Sequence, residues 1–220
     1  MFTAAIKALN DIASPELRAV LWKSIALSVA LFAALWFGIE YLLGHLHFIP
    51  WGWLTNGVQL LTGLGLFAAF FFLMAPVTAL FAGLFQDGIS AKLERLHYPT
   101  QPAGKALFFT AGLVTSLKFA GLTLGIDLIV LPLVLFGGFG ALLILCANSY
   151  IIGREYFELA AARYMPMKDA VALRRDHALR IFIAGLIPGA LAMVPFVSFV
   201  TPVFATSYFL HLFKGRGSLL

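Results

Sequence analysis

Residues 54–85 contain no charged side chain. As a helix these 32 residues would be about 48 Å long at 1.5 Å per residue. That exceeds the roughly 30 Å hydrocarbon core of a bilayer. Helical spacing continues through "DGISAKLERLHYP", where Ile89, Leu93 and Leu96 recur beside Lys92, Glu94 and Arg95. The pattern predicts one long helix over 54–97 that crosses a membrane, emerges into water and ends before Pro99. Pro76 and Gly83 are positions where it can bend.

Composition agrees. The chain of 220 residues is 61% hydrophobic and 11% charged, whereas soluble domains run near 45–50% and about 25%. Mean hydropathy is +0.95. The chain reads as an all-α integral membrane protein forming a single domain over 1–220. Its one cysteine, Cys146, lies in an apolar run, so no disulfide framework is expected. Met1–Ser14 holds opposite charges and no long apolar core, so no cleavable signal peptide is expected there.

Residues 1–13 predict an amphipathic helix at the membrane interface, with Phe2, Ile6 and Leu9 on one face and Lys7, Asn10 and Asp11 polar. "SPELR" then reads as a helix start, with Ser14 as N-cap, Pro15 at the first position and Glu16 in the first turn. A first long helix is expected over 15–44; its run 19–43 carries only Lys23 and Glu40. "GHLHFIPWGW" (44–53) reads as a turn with two tryptophans at interface depth. Residues 150–180 are rich in charge and predict cytoplasmic helices separated near Pro166, with Asn148 and Ser149 as candidate caps.

Basic residues fix the sides. Lys7, Arg18 and Lys23 flank the start, and Lys92, Arg95 and Lys105 fill the second connection. Arg154, Arg163, Lys168, Arg174, Arg175 and Arg180 fill the third; Lys214 and Arg216 lie near the end. The 44–53 turn has none. Each basic segment therefore belongs on the cytoplasmic side, and each apolar section must enter and return. Residues 181–213 number 33, too few for two full crossings of about 20 residues each plus a turn. A hairpin of two half-length helices satisfies both constraints, turning near Pro195–Pro202. Broken backbone at that depth must face protein or a watery cavity. The competing reading is one kinked helix. Residues 104–149, apolar from 106, accommodate two crossings or a second, longer hairpin turning near Gly137–Gly140.

No GxSxG, HExxH, Walker loop or cysteine pair is present, so soluble-enzyme chemistry, a cofactor and a metal centre are not expected. His45 and His47 in the external turn are a weak metal signal. Asp127 reads either as a functional intramembrane carboxylate or as a loop residue capping the next helix; Lys118 reads as snorkelling. Arg154 and Glu158 stand at i,i+4, so part of the charge in 150–180 is internally matched. Helix starts are the better anion signal, because unpaired N–H groups and the dipole favour negative charge there. Arg18 stands one turn into such a start. Further half-helix starts are expected around Pro188–Gly189 and Pro202.

Four stretches, "SPELRAVLWKSIAL", "MAPVTALFAGLFQDGISAKLE", "GREYFELAAARY" and "IPGALAMVPFVSFVTPVFATSYFLHLF", together resemble the CysZ-type sulfate permeases, in the family shared with etoposide-induced membrane proteins. The resemblance implies a bacterial inner-membrane, multi-pass, homo-oligomeric protein that admits sulfate for cysteine synthesis. It also implies two long transmembrane helices plus two partially inserted helical hairpins. In that family a Gly-Leu-Arg motif holds sulfate near the start of the first long helix. Leu17 and Arg18 carry over; Glu16 stands in place of the glycine, and its charge opposes a dianion. Asp87, Glu94 and Arg95 are the expected charged network at the cytoplasmic end of the second long helix, with Arg154 and Glu155 as partners and Asp127 as a pathway candidate. Sulfate, membrane lipids and further copies of the chain are the expected partners, not nucleic acid. The rival readings are a non-transporting membrane scaffold or lipid- and partner-binding protein of the same fold, and a membrane-embedded enzyme using Asp127 and the histidines.

Overall fold

The computed structural model describes residues 1–45, 65, 86–106, 121, 125, 138–194 and 197–215. Among these the regular structure is entirely helical: α1 (Phe2–Ile12), α2 (Pro15–His45), α3 (described over 86–97), α4 (Gly138–Ala162), α5 (Met167–Asp176), α6 (Ala178–Ala192) and α7 (Thr201–Lys214). A single 3-10 turn, Val197–Phe199, precedes α7. Asp127, Lys118, His47 and nearly all of the charge-free run 54–85 lie outside the described residues.

Local chemistry sets the first boundaries. Ser14 accepts a long 3.4 Å bond from the Leu17 N–H at its Oγ, and its carbonyl accepts the Arg18 N–H at 3.0 Å. Pro15 fills the first helical position, where no N–H is needed. The stretch Leu17–Gly38 is long and apolar enough to cross a membrane, with mean hydropathy 1.9. Trp22, Leu27, Val29, Phe37 and Tyr41 are all exposed along α2. A water-facing helix would not expose so broad an apolar surface; a lipid-facing one does.

The α1 helix turns its small residues inward. Ala4, Ala5 and Ala8 are buried in the principal core, while Phe2, Ile6 and Leu9 are exposed. Asp11, expected on the polar face, is buried instead. That core joins α1, α4, α6 and α7 through Phe157, Ala161, Ile181, Ala184, Phe204, Tyr208 and Phe209. A second cluster, Leu17, Ile89, Leu93, Val203 and Leu210, ties α2 and α3 to α7. Every residue from Thr201 to Leu212 is buried, so α7 is the central helix among the described elements.

The apolar section 181–213 reverses direction. An ideal Cβ on Gly153 would sit 2.8 Å from the Ile181 carbonyl oxygen, and the Phe213 ring lies 6.2 Å from that of Phe157. Both ends of the section thus meet α4 within about one turn of each other. One continuous helix of that length would hold its ends about 48 Å apart. Three sequence expectations are corrected here. Pro188 does not start a helix; it is buried inside α6, which runs from Ala178 to Ala192. α4 begins at Gly138 within "GGFG" and continues unbroken past residue 149, so the apolar section 104–149 and the charged section 150–180 do not part there. Ser149 therefore caps nothing: it is buried mid-helix with its hydroxyl donating to the Leu145 carbonyl at 2.6 Å.

Packing explains these departures. Ideal Cβ atoms on Gly185 and Gly189 would stand 2.1 Å from the Ser149 carbonyl oxygen and 2.6 Å from Ser149 Oγ. Ser149 and Gly153 on α4, and Gly185 and Gly189 on α6, form two small-xxx-small faces that bring the backbones together. Tyr208, stacked on Phe204 at 5.6 Å, is the one described residue whose buried side-chain polar atom lacks a hydrogen-bond partner. Tyr208→Phe removes that orphan hydroxyl and keeps the ring. It is expected to stabilise the protein by about 1 kcal/mol, read as a raised thermal midpoint in detergent.

Candidate functional site

Two polar clusters converge beside the C-terminal end of α7. The first is built on α3. Asp87 and Glu94 are two turns apart on one face of that helix, and both meet Arg163, just past the end of α4. Arg163 Nε donates to Glu94 Oε1 at 3.0 Å, and its Nη1 donates to Asp87 Oδ1. The Tyr164 hydroxyl donates to the same Glu94 oxygen at 2.5 Å, and the Gly104 N–H donates to Oε2 at 3.0 Å. Gly104 has to be glycine, since a Cβ would sit 2.8 Å from Glu94 Oε1 and 2.9 Å from Arg163 Cβ. The Arg163 and Glu94 side chains are only 3% and 5% exposed, so this is a buried ion pair.

Burial alone would raise the Glu94 pKa. The bonds from Arg163, Tyr164 and Gly104 outweigh it and hold the carboxyl below its ordinary value of 4.5. Burial would likewise lower Arg163, but Glu94 and Asp87 reverse the sign and raise it. Arg163 is thus matched by two carboxylates and is not offered to an anion.

The second cluster centres on Asp11. Its Oδ1 accepts from His97 Nε2 at 2.7 Å; its Oδ2 accepts from His211 Nε2 at 2.7 Å and from Ser207 Oγ at 2.5 Å. The Tyr98 hydroxyl lies 2.8 Å from His211 Nδ1. Burial pushes Asp11 up, yet the bonds from His211, Ser207 and His97 bring it net below its ordinary value of 3.8. Tyr98 is raised, by burial and by the negative charge of Asp11. Lys214 joins the clusters: its ammonium stands 4.6 Å from the Tyr164 ring centre and 5.6 Å from that of Tyr98, and donates to the Pro102 carbonyl at 2.8 Å.

The site residues expected from sequence are only partly brought together. Asp87 and Glu94 share one network, but their partner is Arg163 and not Arg95. Arg95 follows Glu94 by one residue, about 100° round the helix; it is exposed, with Nε donating to its own Ala91 carbonyl at 3.2 Å. Arg154 is nine residues before Arg163 and so roughly on the opposite face of α4. It pairs with Glu158 at 3.5 Å, and Glu158 also receives Arg174 Nε at 2.6 Å. Glu155 does not join the Glu94 network; burial, with Glu158 adding to it against Arg154, pushes its carboxyl up to about 9. Leu17 is fully buried in the second core cluster, whereas Arg18 projects an exposed side chain from the first turn of α2. Glu16 lies on that same turn of α2.

Sequence reasoning missed Arg163, Tyr164, Asp11, His97, Tyr98, Ser207 and His211 as cluster members. Arg163 counted only as one more cytoplasmic charge. One signal was readable in retrospect: Glu94 and His97 stand at i,i+3 on α3, so a single helix face serves both clusters.

The family described as "Sulfate transporter CysZ/Etoposide-induced protein 2.4" matches residues 4–202, nearly the whole chain. The chain belongs to that family. Nothing among curated proteins matches it.

Proposed function

We propose that this member of the family is a sulfate permease of the bacterial inner membrane, admitting sulfate for assimilation into cysteine. Family membership over residues 4–202 carries the reading. Two features support it: a membrane-capable α2 with outward apolar side chains, and an exposed Arg18 at its start. Arg18, at that helix start, recruits the dianion, while Leu17 anchors the turn in the core. The section 181–213 forms a partially inserted hairpin, residues 104–149 a second one, and neighbouring copies of the chain complete the pathway. Asp127 is the pathway carboxylate on this reading.

The experiment is radiolabelled sulfate uptake into liposomes holding the purified protein. Uptake should saturate. Arg18→Ala should weaken sulfate affinity by about 10-fold or more, since hydrogen bonds to charged groups contribute about 1.5–3 kcal/mol. Glu16→Gly should strengthen it by removing a repelling charge. Unchanged affinity in Arg18→Ala takes Arg18 out of the site. One observation favours a second reading: Glu16 in place of the family's glycine suits a non-transporting scaffold. Folded protein with no uptake above empty liposomes, and no gain in Glu16→Gly, would support that scaffold.

A further inference from the structure

The Asp11 cluster offers more than a hydrogen-bonded clasp. Asp11, His97 and His211 each present one ligand atom, and the three atoms lie within 4.8 Å of one another. They come from α1, the end of α3 and α7, and are separated by 86 and 200 residues along the chain from Asp11. We propose that these three side chains form a binding site for a divalent transition metal of the zinc type. Its ligands are an Asp11 carboxylate oxygen and the Nε2 atoms of His97 and His211. Two imidazoles and one carboxylate are a ligand set that zinc accepts, with a fourth position left open.

The geometry is close to what an ion needs. Around a tetrahedral ion with bonds of about 2.1 Å, donor atoms stand about 3.4 Å apart. The present 2.7 Å contacts, His97 to Oδ1 and His211 to Oδ2, open by side-chain rotation to admit the ion. The two rings already meet edge to face, with centres 4.9 Å apart. His97 is 32% exposed and Asp11 only 6%, so the ion enters over His97 and rests on a buried carboxylate.

The outer partners fit both states. Without metal, His211 Nε2–H donates to Asp11 and its Nδ1 accepts from the Tyr98 hydroxyl. With metal, Nε2 must present a lone pair, so the proton sits on Nδ1 and donates to the Tyr98 oxygen. A hydroxyl serves either role. Metal-bound histidines normally use their second nitrogen in this manner. Ser207 holds Asp11 Oδ2 by the same logic. The proposal departs from the sequence expectation of no metal centre, and it stands independently of sulfate transport.

The test uses the full-length protein in detergent, stripped with chelator and titrated with Zn2+ and with Co2+. One equivalent should bind, Co2+ should give the intense visible absorption of a four-coordinate site, and Zn2+ should raise the thermal midpoint. His97→Ala should abolish the Co2+ signal and the Zn2+ shift. Tyr98→Phe, which keeps all three ligands, should weaken affinity by about 10- to 100-fold; it decides the matter if His97→Ala does not fold. A His45→Ala/His47→Ala double variant should bind as the parent does. The proposal is overturned by the absence of stoichiometric binding. It is equally overturned by affinity unchanged in His97→Ala or Tyr98→Phe, or by binding that disappears with His45 and His47 instead.

Discussion

Arg163→Ala lowers the stability of the folded protein by about 3 to 5 kcal/mol, because it leaves buried charge without its counter-charge. Glu94 keeps only the Tyr164 hydroxyl and the Gly104 N–H, and Asp87 loses its guanidinium partner. Arg163→Lys recovers little: a lysine carries no planar fork to reach two carboxylates at once. The double variant Arg163→Met/Glu94→Gln should be milder than Arg163→Ala, since it removes both charges of the buried pair and leaves shape behind. Thermal unfolding in detergent ranks the three. The same pair sets an acid limit. A carboxyl whose folded pKa is depressed stabilises the fold fully above its unfolded value, here 4.5, and loses that contribution as pH falls through the lower folded value. Glu94 should thus keep its full contribution from neutral pH down to about that value and lose it below, while Glu155, whose carboxyl is pushed up to about 9, adds stability as pH falls from neutral towards its unfolded value. The Glu94→Gln variant should lack that part of the slope. A parent and variant that fall in parallel would show that Glu94 contributes nothing to acid sensitivity.

The difference between what the sequence conveyed and what it withheld follows from the range of each interaction. Ser14-Pro15 is a local signal, read within one turn, and α2 starts there. Pro99 and Pro166 are equally local, and helices stop or start beside them. The hairpin reading of 181–213 draws on another kind of signal: charge at both ends and a length too short for two crossings are properties of the segment alone. The partner of Glu94 was not legible, because it lies 69 residues away. Arg95, Arg154 and Arg163 are indistinguishable as positive charges until helix phase and chain path assign their faces. Asp11 misled for the same reason. In isolation it belongs to the polar side of α1, but docking of the alanine face onto α7 carries it to His211 and Ser207. Pro188 misled because its helix-breaking cost is fixed by chemistry while its tolerance is fixed by neighbours. It is buried within α6, between Gly185 and Gly189, and it is the packing of those glycines against α4 that holds this helix in place.

Gly185→Ala is the second substitution with a large effect, and it reports on that packing directly. The added methyl would lie 2.1 Å from the Ser149 carbonyl oxygen and 3.0 Å from its carbon. These are backbone atoms, so no rotamer change relieves the overlap; α4 and α6 must move apart, at a cost of about 3 kcal/mol. Separation also opens the contacts at Gly153 and Gly189 on the same faces, so the loss propagates along the crossing. Gly88→Ala is the matched control. Gly88 sits exposed in α3 with nothing within 4 Å of its ideal Cβ. There the same methyl only restricts the unfolded chain and favours the helix, a gain of about 0.5–1 kcal/mol. The two variants should therefore move the thermal midpoint in opposite directions. If Gly185→Ala instead unfolds at the parent temperature, the helices do not approach through their glycines, and the packing of 181–213 against α4 must rest on the apolar core around Phe157 and Ile181.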